Sequence, residues 1–127
     1  MVREKGVGRM IEFDLTKPVK TAGGKEVSHL QLDFDQLSFA DLRSVNTIRR
    51  MVDNTPIDDV QNDVYYQLAI AWIAAIKGGS GVALQDVIQV EMNDCFALAE
   101  VAQVDYLFRG QVYNYAKEKY SDTGNGV

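Results

Sequence analysis

The stretch Leu68-Ala69-Ile70-Ala71-Trp72-Ile73-Ala74-Ala75-Ile76 is the least polar run in the chain, and its reading decides the fold. Tyr65, Leu68, Trp72 and Ala75/Ile76 recur at the spacing that places side chains on one face of a helix. Tyr66, Ile70, Ile73 and Lys77 form a second ladder, apolar over most of its length, that faces roughly the other way. A helix that is apolar nearly all round is buried by neighbours on several sides. The run is much shorter than the roughly 20 residues needed to span a bilayer. The pattern therefore predicts a central, buried helix over residues 62–77. Asp58, Asp59 and Asp63 lie near its positive N-terminal end, and Lys77 with Gly78 closes the other.

Outward from that helix, the N-terminal side reads as a β-hairpin. Ile11, Phe13 and Leu15 alternate with Glu12, Asp14 and Thr16, and Leu30, Leu32 and Phe34 alternate with His29, Gln31 and Asp33. Period-two alternation is the mark of a half-buried strand. Thr21-Ala22-Gly23-Gly24-Lys25 supplies the turn, because glycine tolerates positive φ. Pro18 confines its strand to an edge, or lies near the strand's end. Ser38, with Asp41 three residues on, reads as a helix start. Leu42, Val45, Ile48/Arg49 and Val52 give that helix an apolar stripe, with Arg43, Arg49 and Arg50 on its solvated side. Asp53-Asn54-Thr55-Pro56 breaks it.

Beyond the central helix, Gly78-Gly79-Ser80-Gly81 turns the chain. Residues 84–89 read as a short helical turn with Leu84, Val87 and Ile88 inward. Asn93 or Asp94 caps a last helix running to about Arg109, its stripe being Ala97, Val101, Val104 and Phe108, with Phe96 and Leu107 on a neighbouring flank and Gly110 as the stop. The expected architecture is α+β: an N-terminal β-hairpin packed on a small bundle of three main helices and one short one. Residues 1–9 read as a flexible leader without the apolar core of a signal peptide, so that Met10 is a candidate start. Residues 10–110 form one domain. Residues 111–127, which carry Tyr113, Tyr115 and Tyr120, form a polar and aromatic extension that is partly disordered.

Composition narrows the function class. The chain has 127 residues, 46% hydrophobic and 24% charged, which suits one globular domain with no need of a metal or disulfide to hold it together. A single cysteine, Cys95, rules out an internal disulfide and fits a reducing, cytoplasmic setting. A net charge of −5 and a pI near 4.7 argue against a nucleic-acid binder, which needs a basic face for phosphates.

The candidate chemistries fail one by one. The glycine-rich loop at 78–81 follows a helix and lacks the Gly-Lys-Ser/Thr that grips a phosphate. Asp53, Asp58, Asp59 and Asp63 do not have the alternating spacing of a calcium loop. His29, the only histidine, lies on the outward face of a strand, far in sequence from Cys95. Asp94 and Glu100 fall on nearly opposite sides of their helix and read as capping and solvated residues. No catalytic residue, metal ligand or cofactor site emerges. What is unusual is the apolar surplus. Tyr66, Ile70 and Ile73, with Phe96 and Leu107, are the candidate partner-binding residues, and the same surplus predicts self-association.

The order of elements resembles the small tail assembly chaperones of tailed bacteriophages and prophages. The strand over 11–15 followed by Lys17-Pro18 is similar to that family's strand and Leu-x-x-Pro step. Glu26-Val27-Ser28-His29-Leu30-Gln31-Leu32 is similar to its second strand, and Leu37-Ser38-Phe39-Ala40-Asp41-Leu42 to the Asp-Leu entry of its first helix. The alanine-rich run ending at Gly78 resembles its alanine-rich helix and glycine stop. Leu84 to Ile88, and Asp94 with Val101 and Phe108, resemble its closing leucine, aspartate and aromatic positions. The resemblance covers about residues 10–109. It implies a non-enzymatic protein of the host cytoplasm that binds the tape measure protein, keeps it soluble, helps recruit tail tube protein and is absent from the mature virion. The alternative is a minor structural or adaptor subunit retained in the tail.

Overall fold

Alternating apolar residues along the N-terminal third give three antiparallel strands, β1 (Val2–Lys5), β2 (Met10–Lys20) and β3 (Glu26–Asp33), in the order β1-β2-β3. They are seen in a computed structural model that describes the main chain of residues 2–5 and residues 10–108, without the side chains of Gln61, Asp105, Leu107 and Phe108. Strand β1 was not anticipated: residues 2–5 pair with β2, from Val2 opposite Phe13 to Lys5 opposite Met10. The open edge of β2 carries unpaired N–H and C=O groups that a further strand satisfies. Ile11, Phe13, Leu15 and Val19 on β2, and Val27, Leu30 and Leu32 on β3, all turn inward.

Strand β2 is central, and Pro18 stands near its end, one of the two places expected for it, beyond the stretch that β1 covers. A bulge lies at the same place. Asp14 pairs with His29 but Val19 pairs with Val27, so β2 carries extra residues between those points. Proline is tolerated there because the ladder asks for no N–H. Strand β3 ends at Asp33, and Phe34, expected to continue it, opens a 3₁₀ turn and is buried.

A second 3₁₀ turn, Phe39–Asp41, leads into α1 (Leu42–Val52). The Asp41 carboxylate accepts from the Ser38 N–H at 2.8 Å and lies 3.1 Å from Lys77 Nζ. The Ser38 amide, and after it Lys77, hold the Asp41 carboxyl below the usual carboxylate range despite partial burial. Helix α1 buries Val45, Ile48 and Arg49. Arg49 was expected in solvent; it is 3% exposed and reaches back across the loop after α1.

The apolar run at 68–76 forms the core of α2 (Val64–Lys77), where every residue from Gln67 to Ala75 is buried. Asp63 is its N-cap, accepting from the Tyr66 N–H. Helix α2 packs against α1, β3 and α3 (Met92–Ala102). Trp72, fully buried, donates its indole N–H to the Ala83 carbonyl at 2.9 Å. At the end of α2 a Cβ on Gly78 would stand 2.0 Å from the Gln31 carbonyl oxygen, so only glycine lets the helix come this close to β3. Ser80 then hooks the strand: its Oγ accepts from the Gln31 N–H at 2.8 Å and donates to the Gln31 carbonyl at 3.2 Å.

Residues Leu84–Gln89 form a 3₁₀ helix, which has three residues per turn, so Val87 is buried while Ile88 is 66% exposed, against the expectation that it points inward. Asp86 takes the inner place and accepts from the Ala83 N–H at 2.8 Å. Glu91, not Asn93 or Asp94, caps α3 by accepting from both of their amides. Asp94 is thereby released to face β2. It is buried, and its carboxylate accepts from the Thr16 N–H and hydroxyl and the Lys17 N–H, amides that the bulge leaves without partners on β3. The α-helix ends at Ala102 and the chain continues as a π-helix over Gln103–Phe108. The expected stop at Gly110 and the extension over 111–127 lie outside the described residues. No helix among the described residues is long and apolar enough to cross a membrane.

Candidate partner-binding clefts

The apolar surplus resolves into core and surface. Ile70 is 4% and Ile73 3% exposed, so both are core residues, contrary to their assignment as interface residues, although Ile70 keeps an edge on the cleft beside Tyr66. The cause is that α1, α3 and β3 pack over the middle of α2, from Gln67 to Ala75. Tyr66 is half-buried and lines a cleft of about 380 Å³ with Ile70, Leu37, Phe39, Val60 and Tyr106. Burial, and after it the neighbouring Tyr106, pushes the Tyr66 hydroxyl up, so it stays a neutral donor. Tyr106 in turn stacks on Phe34, ring centroids 5.6 Å apart. The Leu107 side chain lies outside the described residues. The expectation of self-association rests on the α2 ladder together with Phe96 and Leu107; Ile70 and Ile73 are packed inside one chain, whereas Tyr66 is half-buried and Phe96 is exposed.

Phe96 is exposed as expected, at 53%, and it opens onto a second cleft, of about 400 Å³. The end of α1 gives Val52, the first turns of α2 give Val64, Tyr65 and Leu68, and the start of α3 gives Met92, Cys95 and Phe96. Leu68 and Val90 are buried and form its floor. Tyr65, Met92 and Phe96 stand exposed round its mouth, Met92 at 68%. A concave, mostly apolar surface with a methionine and two aromatic rings at the rim suits capture of an apolar side-chain row.

Beside it lies an open acidic depression of about 340 Å³ that shares Val64 and Tyr65 with the apolar cleft. Among the described residues its lining carries Asp53, Asp58, Asp59 and Asp63 and the guanidinium of Arg49, which meets Asp63 and Asp53. Arg49 Nη2 lies 2.6 Å from Asp63 Oδ2 and its Nε donates to Asp63 Oδ1 at 3.3 Å, while Nη1 donates to the carbonyls of Asp53 and Thr55. Its Cζ also sits 5.6 Å from the centroid of the Tyr65 ring, which fixes the wall between the two depressions. Burial pushes the Asp63 carboxyl up, but the Arg49 guanidinium and the Tyr66 amide outweigh it and the group is held below its usual value. The Asp63 hydrogen bond likewise keeps Arg49 charged. One ion pair therefore ties the end of α1 to the cap of α2 and shapes the loop between them.

The nucleophile candidates sit apart. His29 lies between Asp14, 2.7 Å from Nδ1, and Glu12, 3.1 Å from Nε2, on the exposed face of the hairpin. Cys95 is half-buried in the apolar cleft. Burial, and after it the Asp94 and Glu91 carboxylates, pushes its thiol up to about 11. A thiol so protonated is a poor nucleophile near neutrality. Among the described residues no three His, Cys, Asp or Glu side chains converge as a metal site.

Sequence reading picked out Phe96 but missed Met92, Val64 and the outward role of Tyr65. Met92, Cys95 and Phe96 stand at i, i+3 and i+4, an apolar stripe at the start of α3 that signals a second face beside the one carrying Leu98 and Val101. No family model matches the chain, and no curated protein or solved structure matches it significantly.

Proposed function

We propose that this chain is a non-enzymatic assembly chaperone of a bacteriophage or prophage tail, which binds the tape measure protein in the host cytoplasm, keeps it soluble and helps recruit tail tube subunits. The observation that carries the reading is the solvent-facing apolar cleft between the ends of α1, α2 and α3, with Met92 and Phe96 held exposed at its mouth. A long, apolar helical client aggregates unless its stripe is covered, and a cleft of this kind covers such a stripe by helix-in-groove contact. The net charge of −5 keeps a complex with an apolar client dissolved. Many copies along one client gain from multivalency. The order of strands, helices and glycine stop resembles the tail assembly chaperones, and the binding face moves from the packed ladder of α2 to the cleft beside Phe96.

Co-expression tests the proposal. Fragments of this chain's cognate tape measure protein should become soluble in its presence and aggregate in its absence, and the chain should be missing from washed virions. Equal solubility in both cases defeats the reading. Recovery of the chain from washed virions favours a minor structural or adaptor subunit instead.

A further inference from the structure

The apolar cleft does not end in neutral surface. Through Val64 and Tyr65 it runs into the acidic depression, whose described lining carries four carboxylates and the Arg49 guanidinium, itself engaged by Asp63 and by two carbonyls. Glu91 stands next to Met92 at the other side of the mouth and caps α3. Carboxylates therefore flank the cleft on both sides, Glu91 alone beside Met92 and four in the lining of the depression, so the negative charge is heavier at the Asp58 end. A bound helix with acidic residues over that end places like charges together in a partly desolvated contact, which weakens its binding. One with basic residues there gains the same field.

We infer that this cleft binds an amphipathic helix in one orientation, its apolar row on Leu68, Val90, Met92 and Phe96 and a cluster of lysine or arginine residues over the depression ringed by Asp53, Asp58 and Asp59. The cleft volume of about 400 Å³ takes the anchors of about two helical turns, the i, i+3/i+4 and i+7 side chains of a helix-in-groove contact. Met92 and Phe96 grip the row, and Tyr65, held by Arg49, separates the apolar part of the footprint from the basic part. The inference rests on the reading of the chain as a binder of helical clients, and it adds the chemistry and polarity of the segment recognised.

The test uses the full chain and labelled synthetic helices of about five turns, alike in their leucine row and differing in one terminal cluster, lysine or glutamate. Fluorescence anisotropy should show the lysine helix binding at least about tenfold more tightly than the glutamate helix, the difference shrinking as salt rises from about 0.05 to 0.5 M. Phe96→Ala and Met92→Ala, both at exposed positions and checked for an unchanged unfolding midpoint, should each weaken both helices about fivefold or more. Asp58→Asn with Asp59→Asn should bring the two helices within about twofold of each other without loss for the glutamate helix. Equal affinity for the two helices, no binding of either, or binding indifferent to Phe96→Ala overturns the inference. So does a dimer of the chain that occupies the cleft and is dissolved by Phe96→Asp. Expected peptide binding together with tape measure fragments that aggregate regardless defeats the chaperone reading alone. Fragments kept soluble equally well by Phe96→Ala defeat this inference and leave that reading standing.

Discussion

Trp72 anchors the core because it satisfies two demands at once. Its ring is fully buried among α2's neighbours, and its one polar atom meets the Ala83 carbonyl. Trp72→Ala should destabilise the fold by about 3–5 kcal/mol in urea unfolding, the usual cost of removing a large buried aromatic. A variant as stable as the parent contradicts the placement of α2 at the centre. Cys95 makes the opposite kind of prediction, of inertness. With its thiol pushed up to about 11 from an ordinary 9.0, the thiolate fraction near pH 8 falls by about two decades, and alkylation of the folded chain should be roughly a hundredfold slower than in denaturant. Equal rates in the two states contradict its packing in the cleft.

At the scale of elements, the contact of α2 with β3 depends on an absence of side chain. A Cβ at Gly78 meets the main chain of Gln31, which no rotamer change relieves. Gly78→Ala should therefore cost about 1–3 kcal/mol, as overpacking does, and should loosen the Ser80 hook on the edge of β3. Hydrogen exchange of the Gln31 amide reads this directly: faster exchange is expected, and unchanged protection with unchanged stability rejects the close approach. Across the molecule Asp94 does the complementary task. It fills the gap in the ladder that the β2 bulge opens and so sets how α3 sits against the sheet.

Over the whole molecule, stability should fall in acid for an identifiable reason. Asp63 and Asp41 are held below the ordinary carboxylate value in the folded state. A depressed folded pKa means that the unfolded chain takes up protons first, so the stabilisation is present above the ordinary value and is lost as pH falls through the folded one. The urea midpoint should drop between about pH 4 and 2, and less steeply in Asp63→Asn, which should already lose about 1–3 kcal/mol at neutral pH through its weakened bond to Arg49. An identical acid profile in the variant removes the Arg49–Asp63 pair from this account. The same pair shapes the wall of the proposed binding cleft, so Asp63→Asn should also weaken capture of the lysine-bearing helix.

Local pattern alone determined the hairpin, the three main helices and the buried central helix, because periods of 2 and 3.6 in apolar residues are written directly in the chain. It located Phe96 on an exposed flank. Other features depended on what each residue meets in space. Ile70 and Ile73 look like a spare face until α1, α3 and β3 close over them. Arg49 reads as solvated until its partner Asp63, fourteen positions on, becomes the cap of the next helix. Pro18 reads as marking an edge or a strand's end and stands near the end of β2, but only the fold shows the bulge that excuses its missing N–H and the Asp94 carboxylate that takes the amides beside it. Periodicity states which side of an element is apolar. Only the tertiary structure decides which apolar sides find each other and which, like the cleft at Met92 and Phe96, remain open to water, because burial is a property of pairs of elements and no single stretch contains both members.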